Sequence, residues 1–523
     1  MAKPNPWILL GVVMVGNFLG PLNSSIATVA LPNLMASLGA DLSTISWVIT
    51  GYMLGYAVSM PTAGWLADTF GRKRMYMTGL VIFTVASVFA SLAWDPGSLI
   101  AFRILQAVGG GFLSATSMAV IVQYFPTHSL GRALGVWGLG MVLAPALGPY
   151  VGGYLIDLVD WRLIFLMGVP FGVVGLILSY ALLPDDTERI HRPFDFVGFA
   201  CLTASLLLFL YALSQGNTEG WDSPVIVGCI AGAAILFAVF IPWEMHSAHP
   251  LMELRLFQTW NFSIAVALRA LLGAGYYMGI VLVPVFVQNL LGYTPLQSGA
   301  VLVPAGLAMA LAMPIAGTLS DRLGARAFVV AGLSIATIAS FYFRTLDTDW
   351  SFSLLASVML WRSLGLGMLF TPLTSAALWN VPRNLGGGAS GIINTVWQVG
   401  GSIGIAASTA YATIRFKARY TDLASHVTAY QPAVQQYLAQ TSQWASMHGL
   451  SSNAALAMLQ SRLEAAATVL SYQDAFVVSA IMLACAIPLA FALRRRPTGI
   501  VVIDIAEHRP ALIEVAREEA EAL

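Results

Sequence analysis

Pro61-Thr-Ala-Gly64-Trp-Leu-Ala-Asp68-Thr-Phe-Gly71-Arg72-Lys73-Arg74 joins two long apolar runs, and its chemistry returns once. The echo is Pro314-Ile-Ala-Gly-Thr-Leu-Ser-Asp321, continuing to Ala327, 253 residues further on. The surroundings of Arg103 recur around Arg362, at an offset of 259. Two echoes in the same order indicate two copies of a six-helix unit. Parallel repeats of this kind enclose a shared cavity and expose it to one side at a time by rocking.

The composition around these echoes is that of a chain dissolved in lipid. Of 523 residues, 58% are hydrophobic and only 10% are Asp, Glu, Lys or Arg, against about 25% in soluble domains. The 25 basic and 25 acidic residues cancel, so bulk charge gives no case for a nucleic-acid partner. Cys201, Cys229 and Cys485 all fall in apolar stretches, which excludes a disulfide framework. The fold class is an all-α polytopic membrane protein.

A membrane helix needs roughly 20 mostly apolar residues. Fourteen stretches qualify, at approximately 7–31, 46–67, 75–94, 98–124, 131–156, 161–183, 195–214, 223–243, 262–290, 297–319, 327–345, 351–378, 387–412 and 471–493. The first reads as a retained helix, since no small-residue cleavage site follows it. With the N-terminus inside, 16 of the 25 basic residues lie in cytoplasmic segments and 6 outside. That split satisfies the positive-inside rule and places both termini in the cytoplasm. The expected organisation is a first six-helix bundle (1–190), an inserted transmembrane hairpin (191–250), a second bundle (251–493) and a cytoplasmic tail (494–523). The extracytoplasmic stretch 413–470 reads as polar, amphipathic helix: a solvated connector, or a docking surface for a partner outside the membrane.

The Gly64–Arg74 turn resembles the signature loop of the major facilitator superfamily. Leu99-Ile-Ala-Phe-Arg103-Ile-Leu-Gln106-Ala-Val-Gly109 is similar to its fourth-helix arginine motif, and Ala144-Pro145-Ala-Leu-Gly148-Pro149-Tyr-Val-Gly152-Gly153 to the fifth-helix motif of its antiporters. With fourteen spans, and Leu22-Asn23 through Pro32 in the first, the chain resembles the fourteen-helix drug:proton antiporters, Emr-type branch. The resemblance implies two six-helix bundles plus a two-helix hairpin, export of drug-like compounds in exchange for protons, and an inner-membrane location. It also implies a periplasmic adaptor, which would dock at 413–470, and an outer-membrane channel.

Each motif has a physical reading. Gly64 and Gly71 permit close backbone approach, Arg72 and Arg74 anchor at the inner surface, and Asp68 can meet a helix N-terminus and a guanidinium together. The resemblance implies a gate, with Arg132 as the expected partner of Asp68; plain topology determination is the alternative. Gly140, Ala144, Gly148 and Gly152 share one helix face, bent by Pro145 and Pro149, and are read as a packing stripe that also forms the rocking interface. Arg103 is costly in hydrocarbon and should face the cavity with Gln106; Arg362 and Arg269 are read similarly.

One position departs from the family pattern. Asn23 stands where an acid is usual and cannot titrate, and all seven histidines lie in loops or tails. Asp474 is then the best remaining proton carrier, or a helix cap; Asp157 and Asp195 are weaker candidates. Three intramembrane arginines against one marginal acid favour lipophilic weak acids or neutral substrates over cations. Asn17, Tyr52, Tyr56, Tyr276, Tyr277, Gln288, Asn394, Trp397 and Gln398 supply aromatic faces and amides for a cavity wall.

Enzyme readings find no paired catalytic groups, no metal-ligand spacing and no phosphate-cradling loop, so no catalytic residue, metal or cofactor is expected; the resemblance implies the proton gradient as the energy source. The reading is a secondary exporter of hydrophobic compounds; the alternative is an uncoupled facilitator or importer of a small organic solute.

Overall fold

The computed structural model describes residues 5–126, 129–158, 160–185, 193–379, 381–382, 385–428, 431–448 and 453–494. The side chains of Asp157, Pro149 and Gly153, and the tail beyond Arg494, lie outside the described residues.

Among the described residues, sixteen α-helices follow one another. Asn5 caps α1 (Pro6–Leu38), and Asp41 caps α2 (Leu42–Phe70) through the Thr44 amide at 3.0 Å. Next come α3 (Arg72–Ser91), α4 (Pro96–Tyr124), opened by an Asp95/Ser98 capping box, and α5 (Leu130–Leu158). The sixth expected span is broken into α6 (Arg162–Leu166) and α7 (Gly168–Leu182). The inserted pair is α8 (Phe196–Glu219) and α9 (Pro224–His246). The second half holds α10 (Trp260–Leu290), α11 (Pro295–Leu323), α12 (Ala325–Tyr342), α13 (Phe352–Leu378), α14 (Gly386–His426), α15 (Pro432–Met447) and α16 (Ala454–Phe491).

Every expected span falls on helix, and no strand occurs among the described residues. Eleven helical stretches among those residues are long and apolar enough to cross a membrane. α2, α5 and α14 are outside that set. These three are junction helices: α2 packs on α14, and α5 on α11, across the two halves. Residues that face protein need not be apolar enough for lipid, which lowers the signal.

The repeat is visible as geometry. Gly71 (φ 97°) turns α2 into α3, and Gly324 (φ 93°) turns α11 into α12, 253 residues later. A side chain at either would be strained. α3 crosses α4 where Gly79 meets Gly109, and α12 crosses α13 where Gly332 meets Gly365. Here the third helices match at an offset of 253 but the fourth at 256. The expected offset of 259 around Arg103 is therefore one helical turn out, and the equivalent of Arg362 is Gln106. Hydrogen bonding agrees: Gln106 donates to Ser87 at 2.6 Å, and Arg362 Nε to Ser340 at 3.1 Å.

α8 and α9 pack on each other, with α8 also against α2 and α14. The 413–470 stretch is not a separate loop. α14 runs for 41 residues, about 60 Å at 1.5 Å per residue, twice the hydrocarbon thickness. It and α16 continue as helix beyond the expected spans, with α15 between them in the chain.

Candidate functional site

Arg103 is fully buried among protein groups. Its Nη1 donates to Asn23 Oδ1 at 2.5 Å and to Gln106 Oε1 at 2.6 Å, Nε to the Val48 carbonyl at 3.3 Å, and Nη2 to the Asn23 carbonyl at 3.4 Å. The guanidinium also lies 4.1 Å over the Tyr52 ring. An arginine at the centre of a lone membrane helix costs about 2.5–3.5 kcal/mol on insertion scales; here every nitrogen has an acceptor. The structure thus brings Asn23, Arg103 and Gln106 together. Asn23 keeps the acceptor oxygen that an acid would offer, without the charge.

Arg362 and Arg269 are equally buried but differently held. Arg362 Nη2 donates to the Gly275 carbonyl and its side chain lines a small cavity of about 20 Å³ with Tyr276, Met309 and Ser363. Arg269 Nη1 reaches Thr374 Oγ1 at 2.9 Å and the Phe370 carbonyl at 3.2 Å, while its Nε and Nη2 have no acceptor.

Between the halves, Tyr52 and Tyr56 stack at 5.9 Å, and Tyr276, Tyr277 and Trp397 form a tilted aromatic group with centroids 5.3–5.9 Å apart. With Gln398 these five rings line a cavity of about 30 Å³, room for a water or two and not for a drug. The site is therefore collapsed in this conformation. Met53 and Met141 also line it; the flexible thioether suits a variable ligand, and Met53's place between the two tyrosines was the available signal. Asn17 and Asn394 are buried beside the cavity wall. Each donates its amide, to the Trp137 carbonyl and to Met118 Sδ respectively, and each leaves its oxygen without a partner. Gln288 does not belong to the wall: it is exposed in the last turn of α10, beyond Val287, where the helix leaves the packed interior.

The turn end is shut by backbone contact between the halves. A Cβ on Gly64 would lie 2.6 Å from the Gly387 carbonyl, and one on Gly135 2.5 Å from Pro314 Cα; Gly317 meets the Gly131 carbonyl in the same way. Asp68 accepts from Arg72 at 3.2 Å and from the Gly388 amide at 3.3 Å, in the first turn of α14. A carboxylate there meets the positive end of the helix dipole. Arg132, the expected partner, instead lies 4.8 Å over the Trp7 ring. The turn that carries it sits at the start of α5, whose glycines already occupy the junction. Arg74 is exposed, and Lys73 pairs with Asp185 at 3.3 Å.

The fifth-helix stripe corrects another expectation. Gly148 and Gly152 pack against Ser25 and Ile26, and Gly140 against Asn17, all on α1 of the same half. It is thus an internal seam and not the contact between halves. The junction face of α5 is its earlier run, Gly131, Gly135 and Gly138. Pro149 has no N–H for the Pro145 carbonyl four residues back. Ser25 Oγ supplies the missing donor at 2.8 Å.

Asp474 lies far along α16, gripped by Arg415 at 2.7 Å and Arg419 at 3.1 Å from α14. Asp195 caps α8 through the Gly198 amide. Neither belongs to the Asn23–Arg103–Gln106 group. Among the described residues, no cluster of His, Cys, Asp and Glu could hold a metal ion.

The profile of the Major Facilitator Superfamily matches residues 13–405. The chain belongs to the major facilitator superfamily. It is 30% identical over 479 residues to the multidrug export protein EmrB of Haemophilus influenzae, covering 90% of this chain and 93% of that one. It is 33% identical over 411 residues (78% and 76%) to a multidrug resistance protein B homolog of Mycobacterium tuberculosis. The tetracenomycin C resistance and export protein of Streptomyces glaucescens is 30% identical over 405 residues (77% and 75%). Among solved structures, the human organic anion transporter MFSD10 superposes with a TM-score of 0.59 at 16% identity, over 92% of this chain and 100% of that one. The proton:xylose symporter XylE superposes at 0.57 with 15% identity, over 91% and 94%. At those identities the likeness is one of fold. This superfamily member is accordingly a multi-pass membrane transporter, of a class of carriers that generally perform no chemistry on their cargo.

Proposed function

We propose that this chain is a secondary transporter that exports hydrophobic, drug-like compounds across the inner membrane of a bacterium by alternating access, in exchange for protons. The observation that carries the reading is the aromatic cavity between the two repeats, collapsed while Asp68 sits at the N-terminus of α14. In the proposed cycle the turn end is cytoplasmic, as are both termini. Separation of Gly64 from Gly387 and of Gly131 from Gly317 opens the cavity to cytoplasmic substrate; reclosure drives it outward. The working units are residues 1–190 and 251–493, with 191–250 as a membrane hairpin and 494–523 as a tail.

The substrate class follows from charge. Arg103, Arg269 and Arg362 are buried without an ion-pair partner among the described residues, so the interior attracts lipophilic weak acids, tolerates neutral compounds and repels cations. The three export or resistance relatives support a drug-like cargo. Tyr52, Tyr56, Tyr276, Tyr277, Trp397 and Gln398 are the proposed contacts. The helical projection beyond the membrane, α15 with the ends of α14 and α16, is the proposed seat for a periplasmic adaptor leading to an outer-membrane channel.

A second reading, an uncoupled facilitator or importer, draws on Asn23: the group around Arg103 holds no side chain that exchanges a proton. Efflux from proteoliposomes under an imposed pH gradient separates the two. Coupled export follows the gradient and reverses with it; a facilitator responds only to the substrate gradient.

A further inference from the structure

Of the three buried arginines, Arg269 is the one with two fully enclosed nitrogens that lack an acceptor. Its side chain is 1% exposed, yet Nε and Nη2 have no acceptor. Those two nitrogens form the side-on edge of the guanidinium, the edge that takes both oxygens of a carboxylate in a parallel pair of hydrogen bonds. The faces of the group are already covered: its central carbon lies 3.7 Å over the Phe370 ring and 4.9 Å from the Trp397 ring. Thr374 and the Phe370 carbonyl hold the remaining nitrogen. The fork is therefore fixed in place and empty on one edge. Arg103, by contrast, has all three nitrogens occupied by neutral acceptors.

In this conformation the edge is enclosed, next to the central cavity and to the junction of the halves. Trp397 separates it from the central cavity, of which it is a wall. Phe370 reaches α5 at the junction of the halves, beside Met313, where a Cβ on Gly138 would touch both. Arg269 lies nine residues into α10 from the turn end, on the side of the cavity where the halves must part. We propose that Arg269 is the receptor for the acidic group of the substrate, taking a carboxylate or phenolate on its Nε–Nη2 edge as the turn end opens, while the aromatic cavity takes the hydrophobic body. This rests on the exporter reading above and names the group that would select its cargo.

The test compares a naphthyl carboxylic acid with its primary amide, which share a skeleton and differ in charge. Binding is read by quenching of tryptophan fluorescence and transport by counterflow in proteoliposomes, for the parent, Arg269→Met and Arg269→Lys. Charged hydrogen bonds of this kind correspond to about tenfold or more in affinity. Arg269→Met is expected to lose the acid by that factor and to keep the amide within about twofold. Arg269→Lys keeps the charge but loses the fork, and is expected to fall between them for the acid alone. Retained amide counterflow certifies folding; should Arg269→Met not fold, the acid-to-amide ratio in Arg269→Lys carries the test. Equal loss of acid and amide, or no loss of either, overturns the proposal. A parent protein that carries only cations fails the exporter reading of substrate class first, before any variant is compared.

Discussion

The carboxylate of Asp68, at the end of α2, lies 3.3 Å from the amide of Gly388, in the first turn of α14. The two residues are 320 apart in the chain, and they belong to opposite halves. Gly64 of the same turn meets the Gly387 backbone across the same junction, and Arg72 holds the carboxylate in place from one turn away.

Asp68→Asn should weaken this latch without removing its shape. The loss of charge at a helix N-terminus and of a charged hydrogen bond is about 1–2 kcal/mol, a shift of roughly five- to thirtyfold away from the closed turn end. Labelling of a cysteine placed at Leu385 should speed up accordingly; an unchanged rate would exclude a latch.

Gly64→Ala should reach the same end by a different route. The new Cβ would meet a backbone carbonyl at 2.6 Å, which no rotamer change relieves. The halves must separate there, so the variant should favour the open turn end even with Asp68 intact. The measurement is the spin-label distance between the ends of α2 and α14, predicted to lengthen.

Ser25→Ala and Gly148→Ala test the fifth-helix seam. The first strands the Pro145 carbonyl and should destabilise by about 1 kcal/mol. The second places a Cβ 2.6 Å from Ser25 Oγ and should cost about 1–3 kcal/mol by overpacking. Because both touch α1 and α5 of one half, they should act on the same interaction and combine less than additively in thermal unfolding.

Asp474→Asn should leave the pH response of efflux as it is and loosen the projecting helices. The pair with Arg415 and Arg419 is partly exposed, so its worth is about 1 kcal/mol or less. Hydrogen exchange should quicken in residues 413–426 and not around Arg103. A changed pH response would return Asp474 to the proton path.

The fold was largely legible because its evidence is repeated. Pro61–Asp68 and Pro314–Asp321 show the same turn chemistry twice, and eleven stretches among the described residues are long and apolar enough to stand alone. The site was legible only in part, because faces and partners are tertiary facts. Small residues four apart mark a helix face that another helix approaches, yet Gly148 carries no sign of whether that helix is α1 or α11. The Arg103 and Arg362 turns look alike as strings, and only the crossing glycines, Gly109 and Gly365, reveal the register. Gln288 reads like a wall amide until its place in the last turn of α10 is known. Nothing in the sequence sets Arg269 apart from Arg103 and Arg362 in this respect, since an empty hydrogen-bonding edge has no signature there.

Alternating access itself is most directly tested by locking the turn end. Thr69 and Leu385 come from opposite halves and line one small cavity behind the gate. Cysteines at those two positions, with Cys201, Cys229 and Cys485 replaced, should cross-link on oxidation. Flux of a lipophilic acid through proteoliposomes should then stop and return on reduction. Undiminished flux through the fully cross-linked protein would contradict a cavity that must open at this end.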